Sequence, residues 1–142
     1  MTFYTSIFKD STIENVARYP KDTTGHEGSV MTAAFTLNGQ SFIALNGGPV
    51  YKFSAAISFV IDCETQEEVD HYWEQLSDGG EKGQCGWLTD KFGLTWQVVP
   101  TILGKLLSDP DGEKVYRASQ AMLKMTKLDI AKLVGAFENK QG

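Results

Sequence analysis

Apolar positions along the chain switch between a spacing near two and a spacing near three to four, and those switches mark the predicted elements. Phe3, Tyr4, Ile7 and Phe8 fall at helical spacing, which predicts a helical turn or two at the start. A helix that short is not stable alone, so it must rest on other elements. Residues 12–19 alternate polar and apolar and predict a strand; residues 20–28, rich in Gly, Asp and Thr, read as a loop. Residues 29–37 and 41–45 flank Asn38-Gly39, the strongest short-range hairpin signal. Asn46 to Pro49 adds a second turn.

The second half repeats much of this order. Residues 56–62 form a compact apolar strand, and residues 65–76 a helix with Val69, Tyr72, Trp73 and Leu76 on one stripe. Thr65 and Glu68 have capping-box spacing, and Gly79-Gly80 ends the helix. Residues 86–89 and 94–99 are strand-like around a turn at Asp90 to Gly93. Helices then follow over 101–107, roughly 111–125 and 128–137, the second preceded by Asp109-Pro110 as cap and first helical position. Ile130, Leu133, Val134 and Phe137 make an apolar stripe that needs a surface to cover. The first half lacks only a leading strand to match the second.

Composition narrows the function classes. In 142 residues, 13 Lys and Arg against 18 Asp and Glu leave a net charge of -5, which argues against a nucleic-acid binder. No apolar run is long enough to span a membrane, and no signal peptide is visible. Cys63 and Cys85 do not form a close metal-binding pair, so the expectation is a reduced, cytoplasmic protein.

Few residues offer chemistry directly. His26 and Glu27 sit together in the glycine-rich loop, where His titrates near neutrality; they read as a general base or ligand pair, or as an exposed loop pair. His71 reads as a solvent-facing helix residue. Cys85 is a nucleophile candidate only if a base or a positive charge lies near it. Gly47-Gly48 and Gly79-Gly80 do not supply the glycine-rich turn of the common S-adenosylmethionine-binding fold.

Several segments carry a family resemblance: FYTSIF at 3–8, FTLNGQ at 35–40, FIALNGG at 42–48, CETQEEVDHYWEQLSDGG at 63–80, CGWLTDKFGLTWQVVP at 85–100 and AMLKMTKLDIAKL at 121–133. Together they resemble the PhnB-like family of the vicinal oxygen chelate (glyoxalase/bleomycin resistance) superfamily, whose members often carry the name 3-demethylubiquinone-9 3-methyltransferase. The resemblance implies an α+β fold of paired βαβββ modules in a cupped mixed sheet, usually as a homodimer. Residues 1–55 and 56–100 would be the two modules of one domain, and 101–142 a helical C-terminal extension. The family's opening strand is not present before FYTSIF, which we read as a truncated or misassigned start.

Superfamily enzymes bind a divalent metal on strands facing the cup, often with a Glu shortly after an Asp-x-x-Gly turn. Here Asp90 to Gly93 matches the turn, but Gln97 stands at the ligand position, and residues 56–62 offer only Ser58. Gln carries no charge and is a weak ligand for such an ion. No convincing metal set emerges. Ser58, Gln97, Trp87, Cys85, Asn46 and Tyr51 are the expected ligand-pocket residues, with Trp87, Trp96, Phe59 and Tyr51 as a candidate aromatic wall. The expectation is a binding protein for a small, partly aromatic molecule, working without nucleic acid or membrane. The alternative is a divalent-metal-dependent lyase, isomerase or dioxygenase-type enzyme on a small oxygen-bearing substrate. Whether the chain is an enzyme is left open by its residues, and the methyltransferase name finds no support in them.

Overall fold

The computed structural model describes residues 1–140; Gln141 and Gly142, the end of the expected extension, lie outside the described residues. The chain divides into two compact units, Met1–Lys52 and Phe53–Gly142.

The first unit has the order αβββ: α1 (Thr2–Ile7), β1 (Thr12–Arg18), β2 (Val30–Leu37) and β3 (Gln40–Leu45). The sheet is antiparallel with β2 in the centre. Asn38 and Gly39 both take positive φ, 49° and 77°, the backbone that a two-residue hairpin turn demands. Alternation sorts the side chains of β2. Ala33, Phe35 and Leu37 are buried on the side of Ile7, and the Phe35 ring stacks on Phe42 at 5.7 Å. Thr32 and Ala34 point the other way, opposite Leu45 and Ile43, which stay 69% and 79% exposed.

The second unit has the full βαβββ order: β4 (Phe59–Cys63), α2 (Gln66–Ser77), β5 (Glu81–Lys82), β6 (Trp87–Thr89) and β7 (Thr95–Pro100). Its sheet runs β4-β7-β6-β5, with β4 parallel to β7 and the other pairs antiparallel. A parallel pair needs a long crossover, and α2 begins it. The Thr65 hydroxyl accepts from the Glu68 amide at 3.3 Å, while the Glu68 carboxylate accepts from the amide of Glu64, one residue before the expected partner.

Helices α3 (Ile102–Leu107), α4 (Gly112–Leu123) and α5 (Ile130–Phe137) follow, around a core of Leu103, Leu106, Ala118, Leu128 and Leu133. The loop between α4 and α5 locks onto the rest of the unit. Met125 and Thr126 carbonyls accept from the Cys85 and Gly86 amides at 2.8 and 2.7 Å. Gln66 bridges to the Leu128 carbonyl and the Ile130 amide at 3.1 and 2.8 Å.

Four elements depart from the sequence expectation by more than a single residue or a single cap. β4 starts at Phe59 rather than 56, because Ala55 and Ala56 lie in a turn. β5, only two polar residues long, carries no pattern to read. Asp111, not Asp109, caps α4: its carboxylate accepts from the Glu113 and Lys114 amides at 3.0 and 3.3 Å. Asp109 instead accepts from the Asp111 amide at 2.9 Å, a local turn that delays the helix and leaves Pro110 outside it. Asp129 caps α5 through the Lys132 amide, so that helix begins at Ile130 rather than Leu128.

Candidate functional site

The sheet of the second unit has two unlike faces. On one, α2 covers β4, β6 and β7. Ile61, Cys63, Leu88, Trp96 and Val98 are buried there, and Phe59 lies 5.4 Å from Trp96, ring centre to ring centre. Trp96 spends its polar atom inside this face: its indole N–H donates to Asp90 at 2.9 Å. The same carboxylate accepts from the amides of Phe92 and Leu94, closing the turn between β6 and β7.

Gln97, between Trp96 and Val98, must therefore point to the opposite, open face. There its amide Nε2 donates to the Ser58 hydroxyl at 2.9 Å. Ser58 sits just before β4, and the parallel β4–β7 register sets Val60 beside Gln97. The antiparallel register sets Trp87 opposite Gln97 and Thr89 opposite Thr95. Val60 is 56% exposed and Trp87 36%, so the pair lies beside partly exposed apolar surface, while Val99, farther along the same face, packs against the core of the C-terminal helices. A cavity of about 210 Å³ opens next to Trp87, with Ala55, Glu81, Thr89 and Thr95 among its walls.

The other expected residues have these local surroundings. Cys85 takes a positive φ of 56° at the entry to β6, and its thiol lies 3.5 Å from the Met122 carbonyl, so it faces the C-terminal helices. Asn46 belongs to the first unit, where its side chain donates to the Val30 carbonyl and its carbonyl accepts from the Tyr19 hydroxyl. That is a strand-end clamp. Tyr51, also in the first unit, is 92% exposed. His26 rests on Tyr19 at 5.1 Å between ring centres, and Glu27 is exposed beside it. Within the second unit the expected aromatic wall is split: Phe59, still 38% exposed, and buried Trp96 share one face of the sheet, and Trp87 lies on the other. Arg117 donates to the Ala136 and Phe137 carbonyls and closes the end of α5.

The thiol chemistry is quiet. Burial pushes the Cys63 thiol up to about 12, with Glu68 and Asp62 adding to the shift, so it stays protonated at neutral pH. Among the described residues no three His, Cys, Asp or Glu side chains gather as a metal site. Ser58 and Gln97 do not fit a divalent ion either, since both are neutral and already bonded to each other. Among the described residues no helix is long and apolar enough to cross a membrane.

Thr95 shares the face of Gln97 by simple alternation, whereas Val60, Thr89 and Glu81 also belong to the open face and were missed in the sequence. A period of two finds Val60 from Ser58 and Thr89 from Trp87; Glu81 needs the unrecognised β5.

Residues 1–99 match the family model described as 3-demethylubiquinone-9 3-methyltransferase. Among solved structures, a Bacillus cereus PhnB protein described by the same methyltransferase name is 36% identical, with TM-score 0.66; the match covers 71% of this chain and 88% of that one. A Pseudomonas aeruginosa protein shares the fold at 18% identity and TM-score 0.55, over 70% of this chain and 84% of its own. No curated protein matches.

Proposed function

Because the chain belongs to the 3-demethylubiquinone-9 3-methyltransferase family, the PhnB-like group of the vicinal oxygen chelate superfamily, we propose that it binds a small organic molecule on the open sheet face of its second unit. One observation carries the reading: the Ser58–Gln97 hydrogen bond, at 2.9 Å, stands beside the exposed indole of Trp87. A few placed polar groups amid apolar surface is the usual make-up of a small-molecule site. The uncharged pair supports binding without a metal.

In this reading residues 1–100 form one ligand-binding domain of modules 1–55 and 56–100, and 101–142 a helical extension. The protein works in the cytoplasm as a homodimer. Support for the dimer is the exposed apolar set Ile43, Leu45, Val50, Tyr51, Phe53 and Ile57, more than a lone subunit ordinarily leaves in water.

The test is a ligand screen by tryptophan fluorescence, run with chelator and with added divalent metal, on protein purified without metal-affinity resin. The expected result is saturable quenching that is unchanged by chelator and abolished by Trp87→Ala. Quenching that requires about one bound divalent ion per subunit overturns the metal-free reading in favour of a metal-dependent enzyme.

A further inference from the structure

We infer that the groove between α4 and α5 binds a small organic anion, an oxyanion head on an apolar, ring-sized body. None of the residues that line this groove belongs to the open sheet face, so the inference stands apart from the site proposed there.

Charge sets the first requirement. The whole chain carries a net charge of -5, yet residues 112–140 hold six Lys and Arg against three Asp and Glu. Part of that surplus gathers at one cavity of about 380 Å³. Arg117, Lys124 and Lys140 line it, and among the described residues no carboxylate does. Lys140 is balanced by Glu138, its ion-pair partner. Glu113 stands at the far end of α4 from Lys124 and outside the cavity wall. Lys124 has no acidic partner among the described residues. Arg117 donates from Nε and one terminal nitrogen to backbone carbonyls, which leaves its other terminal nitrogen free to donate and its charge without a carboxylate.

The end of α5 does not use up these cations. A helix C-terminus presents orphan carbonyls that can draw positive side chains. Here the Val134, Gly135 and Ala136 carbonyls accept from the amides of Glu138, Lys140 and Asn139 at 2.9, 2.9 and 3.2 Å, and the Phe137 carbonyl accepts from Arg117. They are satisfied without the ammonium groups of Lys124 or Lys140. The Tyr116 hydroxyl and the Gln120 and Asn139 amides also line the groove, and they make no side-chain hydrogen bond among the described residues, so each can add a donor. A cation brought here would meet positive groups and no counter-charge. A neutral molecule would leave the Arg117 and Lys124 charges unanswered, and an oxyanion answers both.

Shape sets the second requirement. Ala121, Gly135 and Ala136 give the groove a floor of small residues, and the ring of Tyr116, 64% exposed, gives it an apolar wall. Glycine inside a helix is less stable than alanine. Packing does not demand it at position 135: an added Cβ would meet the Lys140 carbonyl oxygen at 3.5 Å, an ordinary contact, and otherwise open space among the described residues. The missing methyl keeps room in the groove. Its volume, about 380 Å³, lies at the low end of the ~300–1,000 Å³ usual for ligand pockets and suits one or two fused rings.

The experiment is protein-observed nuclear magnetic resonance on the full chain, with naphthoate, naphthyl phosphate, naphthamide and inorganic phosphate as probes. Naphthoate and naphthyl phosphate should shift the amide signals of Ala121, Gly135 and Ala136, and the tighter of the two names the oxyanion. Both should bind about tenfold tighter than naphthamide at low salt, and added salt should narrow that gap. Inorganic phosphate should bind far more weakly than either ring anion. Lys124→Glu changes an exposed side chain and should weaken the anions about tenfold. Gly135→Ala should leave the chain folded and weaken them about threefold or more by filling the floor. Naphthamide binding as tightly as naphthoate, or an affinity unchanged by Lys124→Glu, overturns the anion. Inorganic phosphate matching the ring anions overturns the apolar body. Shifts confined to Trp87 and Gln97 assign the probe to the open sheet face, and a folded chain with no shifts has no such site. Either result overturns the inference and leaves the open-face proposal to its own test.

Discussion

Trp87 and Leu88 are neighbours on one short strand, yet they live in different environments. Leu88 is 2% exposed beneath α2, while Trp87 is 36% exposed on the open face. Gln97 and Val98 repeat the contrast on β7, with Val98 fully buried and Gln97 bonded to Ser58. The covered face carries the stability of the unit. Asp90, its buried carboxylate among the described residues, accepts from two amides and an indole N–H. The open face carries polar groups with capacity to spare, which a core cannot tolerate and a binding surface requires.

The largest effect should come from the turn that leads into this strand. Gly86 has φ +82°, and an added Cβ would sit 2.6 Å from the Val98 carbonyl oxygen and against Leu128. Gly86→Ala should therefore cost about 3 kcal/mol or more, or abolish folding, by chemical denaturation. It would take both faces with it, because this turn also anchors the α4–α5 loop through the Thr126 carbonyl.

Next comes the direct contrast. Leu88→Ala should lose about 2–5 kcal/mol, as buried leucines do. Gln97→Leu should change stability by no more than about 1 kcal/mol while weakening ligand binding. Equal losses in a denaturant titration would show that the two faces are not divided between stability and binding.

The two cysteines sharpen the comparison chemically. Cys63 lies on the covered face with its thiol raised to about 12, against an ordinary value of 9.0. It should resist a thiol reagent until the chain unfolds, whereas the half-buried Cys85 should react first. A raised thiol pKa also means that stability from this group is complete below pH 9.0 and declines as pH climbs toward about 12. Peptide mapping of the labelled sites separates the two residues. Labelling of Cys63 at the rate of Cys85 in the native state would contradict the burial.

The smallest effect belongs to the outer surface of α2. Lys127 lies 2.8 Å from Asp70 and, with Gln66, holds that carboxyl below the usual carboxylate range. The stabilisation is present above that range and lost as pH falls through the lowered value. Both side chains are well exposed, so Lys127→Ala should cost less than about 1 kcal/mol. Its signature is a flatter dependence of stability on acid pH, measured by thermal melts.

Much of the architecture was legible in local pattern. Asn38-Gly39 announced the first hairpin, Thr65 and Glu68 the start of α2, and the Val69, Tyr72, Trp73 and Leu76 stripe its buried side. Each rests on backbone or side-chain preferences acting within a few residues. The cap of α4 was read two residues early because Asp109 and Asp111 are chemically alike. Only the Asp109 turn decides which one serves. β5 has two polar residues and is a strand only because Glu81 and Lys82 find Thr89 and Leu88.

The sequence by itself determined the family, the order of most elements and the identity of Ser58, Gln97 and Trp87 as pocket candidates. Only the tertiary structure decided which of the candidates meet. Ser58 and Gln97 are 39 residues apart and touch because β4 lies parallel to β7, a register set by α2 crossing over the sheet. The same register put Trp96 on the buried face and left Trp87 on the other. A one-residue alternation tells which side chains share a face; which face is covered depends on where a helix far along the chain comes to rest.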